Sequence, residues 1–336
     1  MNKTVLVTGA SGFVGTNLCQ SLIGRGYKVL ALVRGDHNRE LLEKMGAERV
    51  VCRITDTECI RAALKRADYV IDVLGKAWDW GDYESFAIPN ITGVRNMLDE
   101  SMRAGIKKFV HISTVAVHGF GNHIDTNEEG PYYPTNFPYC VTKYEGEKYV
   151  LAAYREHSFP VSVIRPANVY GENDTVTIVN MAEALQSRSV PFVDSGRRLT
   201  CPVYVGNLVD AIIAALEKDE AVGEVFIISD GLRITWREWT EKLCAALDVK
   251  PHWLSVPGWF ALFIGTSMEL FYKIFNAQEA PALTRYRTQQ VSTNYHFSIG
   301  KAERVLGWKP RTGIDTAVGK TIEWYKNYRL KKDAGH

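Results

Sequence analysis

Within the first fifteen residues an apolar run, Val5-Leu6-Val7, stops at Thr8, and Gly9, Gly12 and Gly15 follow at three-residue intervals. Few folds accommodate this spacing. A strand must deliver the chain into a tight turn, where Gly9 can take positive φ and Gly12 offers no side chain to an approaching group. The helix that starts there aims free N–H groups and its positive dipole end into the turn, a site suited to a pair of phosphates. Gly15 lets that helix lie close on the sheet. An ordinary strand–turn–helix with glycines for tightness would use the same residues. Context separates the two readings, because strand–helix alternation continues behind the turn and points to a bound dinucleotide. Its contacts are expected at Thr8, Gly9, Ser11, Gly12, Phe13, Val14 and Gly15.

A chain of 336 residues is long for one core, so one large α/β domain plus a smaller lobe is expected. Against 38 acidic side chains stand 40 basic ones, a net charge of +2 with no long run of one sign. Nothing argues for nucleic acid beyond a mildly basic tail at Lys331-Lys332. Cysteines at 19, 52, 59, 140, 201 and 244 lack metal-ligand spacing. No metal is expected, and they read as small buried hydrophobes in a reducing compartment. A strand starting near residue 4 leaves no room for a signal or transit peptide, so a cytoplasmic location is expected. The longest uncharged run, Trp253 to Met268, contains Pro257 and is broken by Glu269. It is too short and interrupted to span a bilayer, and reads as a lid or core helix, with peripheral membrane contact as the alternative.

Strands are expected at 4–8, 28–33, 49–53, 69–74, 107–113 and 160–165, with helices near 13–24, 38–45, 57–66, 84–104 and 138–157. This is an α/β pattern, a Rossmann-type doubly wound parallel sheet covered on both faces. Past Arg165-Pro166 the regularity weakens. Helix 176–187, a strand near 202–205, helix 207–217 and strand 224–229 follow, and 203–230 reads as a return to the main sheet. Residues 1–170 and 202–230 are therefore assigned to dinucleotide binding. Residues 171–201 and 231–330 are assigned to a smaller C-terminal substrate lobe over the carboxyl edge of the strands, where ligands bind in such sheets.

Folds of this kind that bind NAD place an acid at the end of strand two, for the ribose 2′-hydroxyl. Here the strand ends Leu32-Val33-Arg34-Gly35, with Arg39 a few residues on. An arginine there pairs with a 2′-phosphate, which favours NADP(H). Asp36 could stand in for the missing acid and keeps NAD(H) open.

The second constellation is Ser113-Thr114 at a strand end, followed by Tyr139-x-x-x-Lys143. The same spacing recurs at Tyr144/Lys148 and Tyr328/Lys332, but register separates the pairs. Tyr139 and Lys143 share one helix face, and Tyr144 lies well off it. Lysine and a cationic nicotinamide ring would lower the phenol from about 10 toward 7. Tyr139 would then exchange a proton with a substrate hydroxyl or carbonyl whose oxygen Thr114 holds.

With these residues in place the chain resembles an extended short-chain dehydrogenase/reductase, the tyrosine-dependent class that opens Thr-Gly-x-x-Gly-x-x-Gly. Asn90-Ile-Thr-Gly93 matches the class's mid-chain Asn element, which supports the active-site backbone. His111-Ile-Ser-Thr114 matches the strand bearing the catalytic hydroxyl, and Arg165-Pro166-Ala-Asn168-Val-Tyr-Gly171 the turn that closes over the nicotinamide. Within the class, the C-terminal half is most similar to the 3β-hydroxysteroid dehydrogenase and sterol-4α-carboxylate dehydrogenase family. The matching parts are Pro202-Val-Tyr-Val-Gly-Asn207, Val256-Pro-Gly-Trp259 and Phe297-Ser-x-x-Lys301-Ala…Leu306-Gly-Trp-Lys-Pro310. The resemblance implies catalytic roles for Tyr139, Lys143, Thr114, Ser113 and Asn90. It implies cofactor contacts at Arg53, Ile54, Leu74, Gly75, Tyr139, Lys143, Pro166 and Asn168, and a homodimer, where one forms, through the helices at 84–104 and 138–157. Arg53 replaces the family's adenine-binding Asp, with Asp56 as a substitute, and Leu74-Gly75 replaces an Ala-Ala or Ala-Gly pair.

Aromatics bear on the substrate. Trp78-Asp-Trp80 follows strand four, Tyr132 and Tyr133 precede the catalytic helix, and Trp253, Trp259, Phe260, Phe263, Phe271, Tyr272 and Phe275 crowd the second lobe. Most such residues are core, but loops over a cofactor edge supply pocket walls. Few charges sit among them, which favours an apolar alcohol or ketone over a nucleotide sugar. His118, His123 and Glu128 are either substrate contacts or a solvated loop. The expected activity is alcohol–ketone interconversion on a hydrophobic, sterol-like or long-chain 3-hydroxy/3-oxo substrate. The alternatives are a nucleotide-sugar epimerase or dehydratase and a dihydroflavonol-reductase-like carbonyl reductase. A cofactor-sensing regulator would have lost the Tyr/Lys pair.

Overall fold

The computed structural model describes residues 3–189, 191–275, 277 and 279–334. Positions 190, 276 and 278 of the expected lobe lie outside the described residues. Seven strands form one parallel sheet: β1 (Thr4–Thr8), β2 (Lys28–Val33), β3 (Glu48–Val51), β4 (Tyr69–Asp72), β5 (Lys108–Ile112), β6 (Val161–Pro166) and β7 (Val225–Ile228). Their order is β7-β6-β5-β4-β1-β2-β3, so the winding reverses between β1 and β4, and a ligand crevice opens there. Alternation along β1 builds both halves of the core. Val5 and Val7 enter the apolar cluster on one face, and Leu6 joins Leu30 and Leu32 on the other. All three β1 residues are fully buried, as a central parallel strand requires.

Helices α1 (Phe13–Gly24), α2 (Arg39–Met45) and α3 (Thr57–Leu64) connect the first four strands. The single helix expected at 84–104 is three pieces instead: α4 (Tyr83–Ala87), a π-helical turn at Ile88–Thr92, and α5 (Gly93–Ala104). Pro89 lacks the N–H of a regular turn, so the backbone widens there. Beyond these come α6 (Pro138–His157), α7 (Thr177–Gln186), α8 (Val205–Glu217), α9 (Trp236–Leu247), α10 (Gly258–Ile274), α11 (Arg285–Ser292) and α12 (Ile314–Ala334).

The expected return of 203–230 to the main sheet holds only for β7. Pro202–Tyr204 instead pairs with Asn168–Tyr170 in a separate two-stranded ribbon. Nor are all six cysteines free: Cys52 and Cys59 are joined as a disulfide beside β3, while Cys19, Cys140, Cys201 and Cys244 are buried thiols.

The second lobe is tied on at several points. Asn207 at the start of α8 donates to Asp230 (2.8 Å) and accepts from the backbone N–H of Arg311 and Thr312 (3.1 and 3.0 Å), and its carbonyl takes the Trp308 indole (3.2 Å). In this lobe Gly265 brings α10 against α11, with Thr284 and Thr288 3.2 Å from where a Cβ would sit. The opposite side of α10 is bare: Trp259, Phe263, Leu270 and Ile274 are 72, 65, 61 and 69% exposed. Among the described residues no helix is long and apolar enough to cross a membrane.

Candidate active site

At the glycine turn, Gly9 sits at φ +60 with Leu74 Cα 3.2 Å from its missing Cβ, and a Cβ on Gly15 would collide with the Gly9 carbonyl. Gly12 starts α1 with no side chain bonded across the first turn, so those N–H groups, including Phe13 and Val14, stay available to an anion. Thr8 is a correction. Its fully buried hydroxyl donates to Asp72 (2.6 Å) and accepts from Leu74 N–H (3.0 Å), stapling the β1/β4 fork and presenting no surface to a ligand. The Ser11 carbonyl accepts from Asn38 (2.8 Å), fastening the loop after β2 to the turn.

Arg34 is exposed and forms no ion pair among the described residues, while Arg39 pairs with Glu43 (3.0 Å). Asp36 is occupied by Arg49 (2.7 Å). Arg53 is exposed and Ile54 buried. Asp56 does not replace the adenine-binding acid: its carboxylate caps α3, accepting from the Cys59 N–H (3.0 Å). Leu74 is half-buried, and Gly75 lies against the active centre, its absent Cβ 3.1 Å from Asn90 Oδ1 and 3.5 Å from Lys143 Nζ. A cradle that a Cβ would fill, an uncapped helix start and an arginine after β2 fit a nicotinamide dinucleotide.

Helix α6 carries the chemistry. Tyr139 is half-buried on its first turn, with the Thr114 hydroxyl acting on its phenol in the direction that eases ionisation. One turn later the buried Lys143 ammonium donates to the Ile112 carbonyl at the end of β5 (2.6 Å). Tyr144 faces elsewhere, exposed, beneath the Lys148 ammonium. Asn90 is a positioning residue rather than a catalytic one. Fully buried in the π-helical turn, it accepts from Lys76 N–H (2.8 Å) and donates to Thr142 Oγ1 (3.0 Å), clipping the loop after β4 to α6. Ser113 is also corrected, because its hydroxyl points away from the site and donates to Glu147 (2.5 Å).

That bond belongs to a buried network the sequence did not announce. Arg165 Nη2 donates to Glu147 Oε1 (2.5 Å) and Nε to Oε2 (3.0 Å), and Nη1 reaches His118 Nε2 (2.9 Å), Tyr132 Oη (3.0 Å) and the Glu128 carbonyl (3.0 Å). His118, His123 and Glu128 are thus neither substrate contacts nor a solvated loop. Both histidines are fully buried, and the Glu128 carboxylate accepts from Ile227 N–H on β7 (2.9 Å). Pro166 is buried in β6, and the Asn168 side chain bridges Thr200 (3.2 Å) and Gln290 (2.8 Å), so neither side chain turns to a cofactor.

The second lobe covers the phenol. Tyr286 of α11 lies 6.3 Å from the Tyr139 ring and packs edge-on to Phe137 and Phe120. Asp79 latches the Trp78–Trp80 loop to α11 through Thr284 (2.6 Å) and Arg287 (2.9 Å), and Trp80 meets Tyr272 of α10 edge-on. Both arginines of α11 are answered, Arg285 by Glu269 and Arg287 by Asp79.

Burial sets the protonation pattern. It pushes the Tyr139 phenol up to about 12, against the opposing Thr114 bond, and pulls Lys143 down to about 8, against Asp72 and Glu147. It lowers His118 to about 3, with Arg165 adding to the effect, so the ring is neutral and Nε2 accepts. The expected lowering of the phenol by lysine is not what this geometry does. Lys143 spends its ammonium on the Ile112 carbonyl, and desolvation dominates at Tyr139.

The doubly wound sheet, glycine turn and Thr114/Tyr139/Lys143 group define an extended short-chain dehydrogenase/reductase, an oxidoreductase-class enzyme that uses a nicotinamide dinucleotide. The chain belongs to the NAD dependent epimerase/dehydratase family, which matches residues 5–229. It is 29% identical to a 2-alkyl-3-oxoalkanoate reductase of Shewanella oneidensis, covering 93% of this chain and 84% of that one. It is 27% identical to a 3-beta-hydroxysteroid dehydrogenase of Mycolicibacterium neoaurum (96% and 90% covered). With a UDP-glucose 4-epimerase of Vibrio cholerae the identity is 30% (96% and 95% covered).

Proposed function

We propose that the protein interconverts a secondary alcohol and a ketone on a hydrophobic substrate, a long-chain 3-oxo or 3-hydroxy compound or a sterol-like one, using NADP(H) in preference to NAD(H). The observation that carries this reading is the aromatic cover over Tyr139, whose two arginines are already held by acids and so offer little to a sugar diphosphate. The reductase and steroid dehydrogenase relatives support the same substrate class. Exposed Arg34, with Asp36 tied to Arg49, supports the NADP(H) preference.

A dinucleotide held at the glycine turn would supply or accept a hydride. Tyr139, neutral at physiological pH, gives its proton to the carbonyl oxygen in the reductive direction; in the oxidative direction its ionised phenolate takes the proton from the alcohol, and Thr114 holds that oxygen in line. Lys143 keeps a positive charge beneath the site, Asn90 holds the loop after β4, and Tyr286 excludes water from the phenol.

Purified protein should be screened for change in nicotinamide absorbance against graded 3-oxo and 3-hydroxy acids, steroids and UDP-glucose. Catalytic efficiency should rise with apolar size, each buried methylene contributing about 0.8 kcal/mol. Conversion of UDP-glucose with no net change of nicotinamide, and silence on every apolar ketone, would replace this reading with epimerisation.

A further inference from the structure

We infer that the outer face of α10 is a docking surface for an anionic lipid bilayer. Trp259, Phe263, Leu270 and Ile274 recur at helical spacing along one side, all more than half exposed. Trp253, 86% exposed just ahead of the helix, and Phe275 at its end extend the strip. Ala261, Gly265, Glu269 and Tyr272 occupy the opposite side, toward α11 and the Trp78–Trp80 loop. A contiguous apolar strip of this length marks an interaction site.

Two observations choose the occupant. Between residues 249 and 275 the formal charges are Lys250, Glu269 and Lys273. The lysines are exposed at the two ends of the strip, whereas Glu269 is buried and held by Arg285 (2.9 Å). A two-fold dimer would set this face against itself and bring its lysines toward one another, with exposed Asp248 and Glu279 just outside the strip at either end, whereas anionic headgroups answer both lysines. In addition, the polar residues inside the strip are already satisfied. Thr266 donates to the Leu262 carbonyl (2.7 Å) and Ser267 to that of Phe263 (2.9 Å). Immersion in acyl chains therefore strips no hydroxyl of its partner. The tryptophans suit the headgroup level, where an amphipathic ring is half wetted.

The test is co-sedimentation with vesicles of phosphatidylcholine, alone or mixed with phosphatidylglycerol, and it needs no turnover, so it stands or falls apart from the substrate assignment. Wild type should pellet with the mixed vesicles. Lys250→Glu with Lys273→Glu should weaken that binding by about fivefold per lysine at low salt, and Trp259→Ser/Phe263→Ser/Leu270→Ser by about tenfold or more. Thermal melting and NADPH titration of each variant verify the fold. Wild type left in the supernatant with both vesicle types, or folded variants that bind as well as wild type, would overturn the inference. So would a wild-type dimer, by light scattering, that the serine variant splits, which would give the face to a second copy.

Discussion

A phenol held near 12 is a proton donor at neutral pH, and Tyr139 is where the chemistry of this fold is most exposed to test. Tyr139→Phe removes one hydroxyl and keeps the ring, so turnover should fall by about a hundredfold to ten-thousandfold while NADPH still binds. Tyr144→Phe should keep most activity; equal losses in steady-state assays would overturn the register of α6. Lys143 makes the opposite trade. Its proton leaves near 8 in the fold but near 10.5 in the unfolded chain, so between those values the unfolded state holds more protons and stability gains as pH rises. Below 8 the fold carries the cost of a buried ammonium, about 3 kcal/mol. Lys143→Met should therefore abolish activity yet stabilise the ligand-free protein at neutral pH, by about 1–2 kcal/mol once the orphaned Ile112 carbonyl is counted. Thermal melts of both forms should show that lead shrinking toward pH 10. Arg34→Ala should weaken NADPH by about ten- to a hundredfold and leave NADH nearly unchanged, read by titrating both cofactors.

At the scale of elements, α6 is fixed less by its own helical bonds than by Glu147, which ties it to Ser113 beyond β5 and Arg165 on β6. Glu147→Ala leaves a buried guanidinium without its acid and should cost about 3–5 kcal/mol in urea unfolding. Glu147→Leu combined with Arg165→Met should cost well under the sum of the single changes, because no charge is then stranded. The sequence showed Tyr139 and Lys143 because four-residue spacing on a helix is a local signal. Glu147 continues that stripe one turn further, and an acid on an inward face was the available clue. Its partners, however, lie 34 and 18 residues away, and no spacing rule reports that meeting. Pro89 likewise marked the break in the 84–104 helix, but the width of the resulting turn depends on Asn90 reaching Lys76 and Thr142. For α10, apolar residues ring the helix, so periodicity alone could not tell core from cover. Only the contact with α11 says which side faces in.

On the scale of the molecule, the first two-thirds of the chain builds the sheet and its crevice, and residues far downstream close it. The glycine turn, the strand–helix alternation and the Tyr139/Lys143 face of α6 were legible because each rests on neighbours within one strand–helix unit. Tyr286 and the Asp79 latch were not, since they depend on how the second lobe settles over the first. That division of labour makes the protein suited to recombination. A chimera taking residues 250–292 from a relative of different substrate preference should inherit the donor's preference while keeping this chain's affinity for NADPH, as parallel kinetics and cofactor titrations would reveal. The graft must fit the host's Trp78–Trp80 loop. Because the host's Asp79 grips Thr284 and Arg287, a transplanted segment without those two partners would arrive unfastened, and specificity would be lost rather than exchanged.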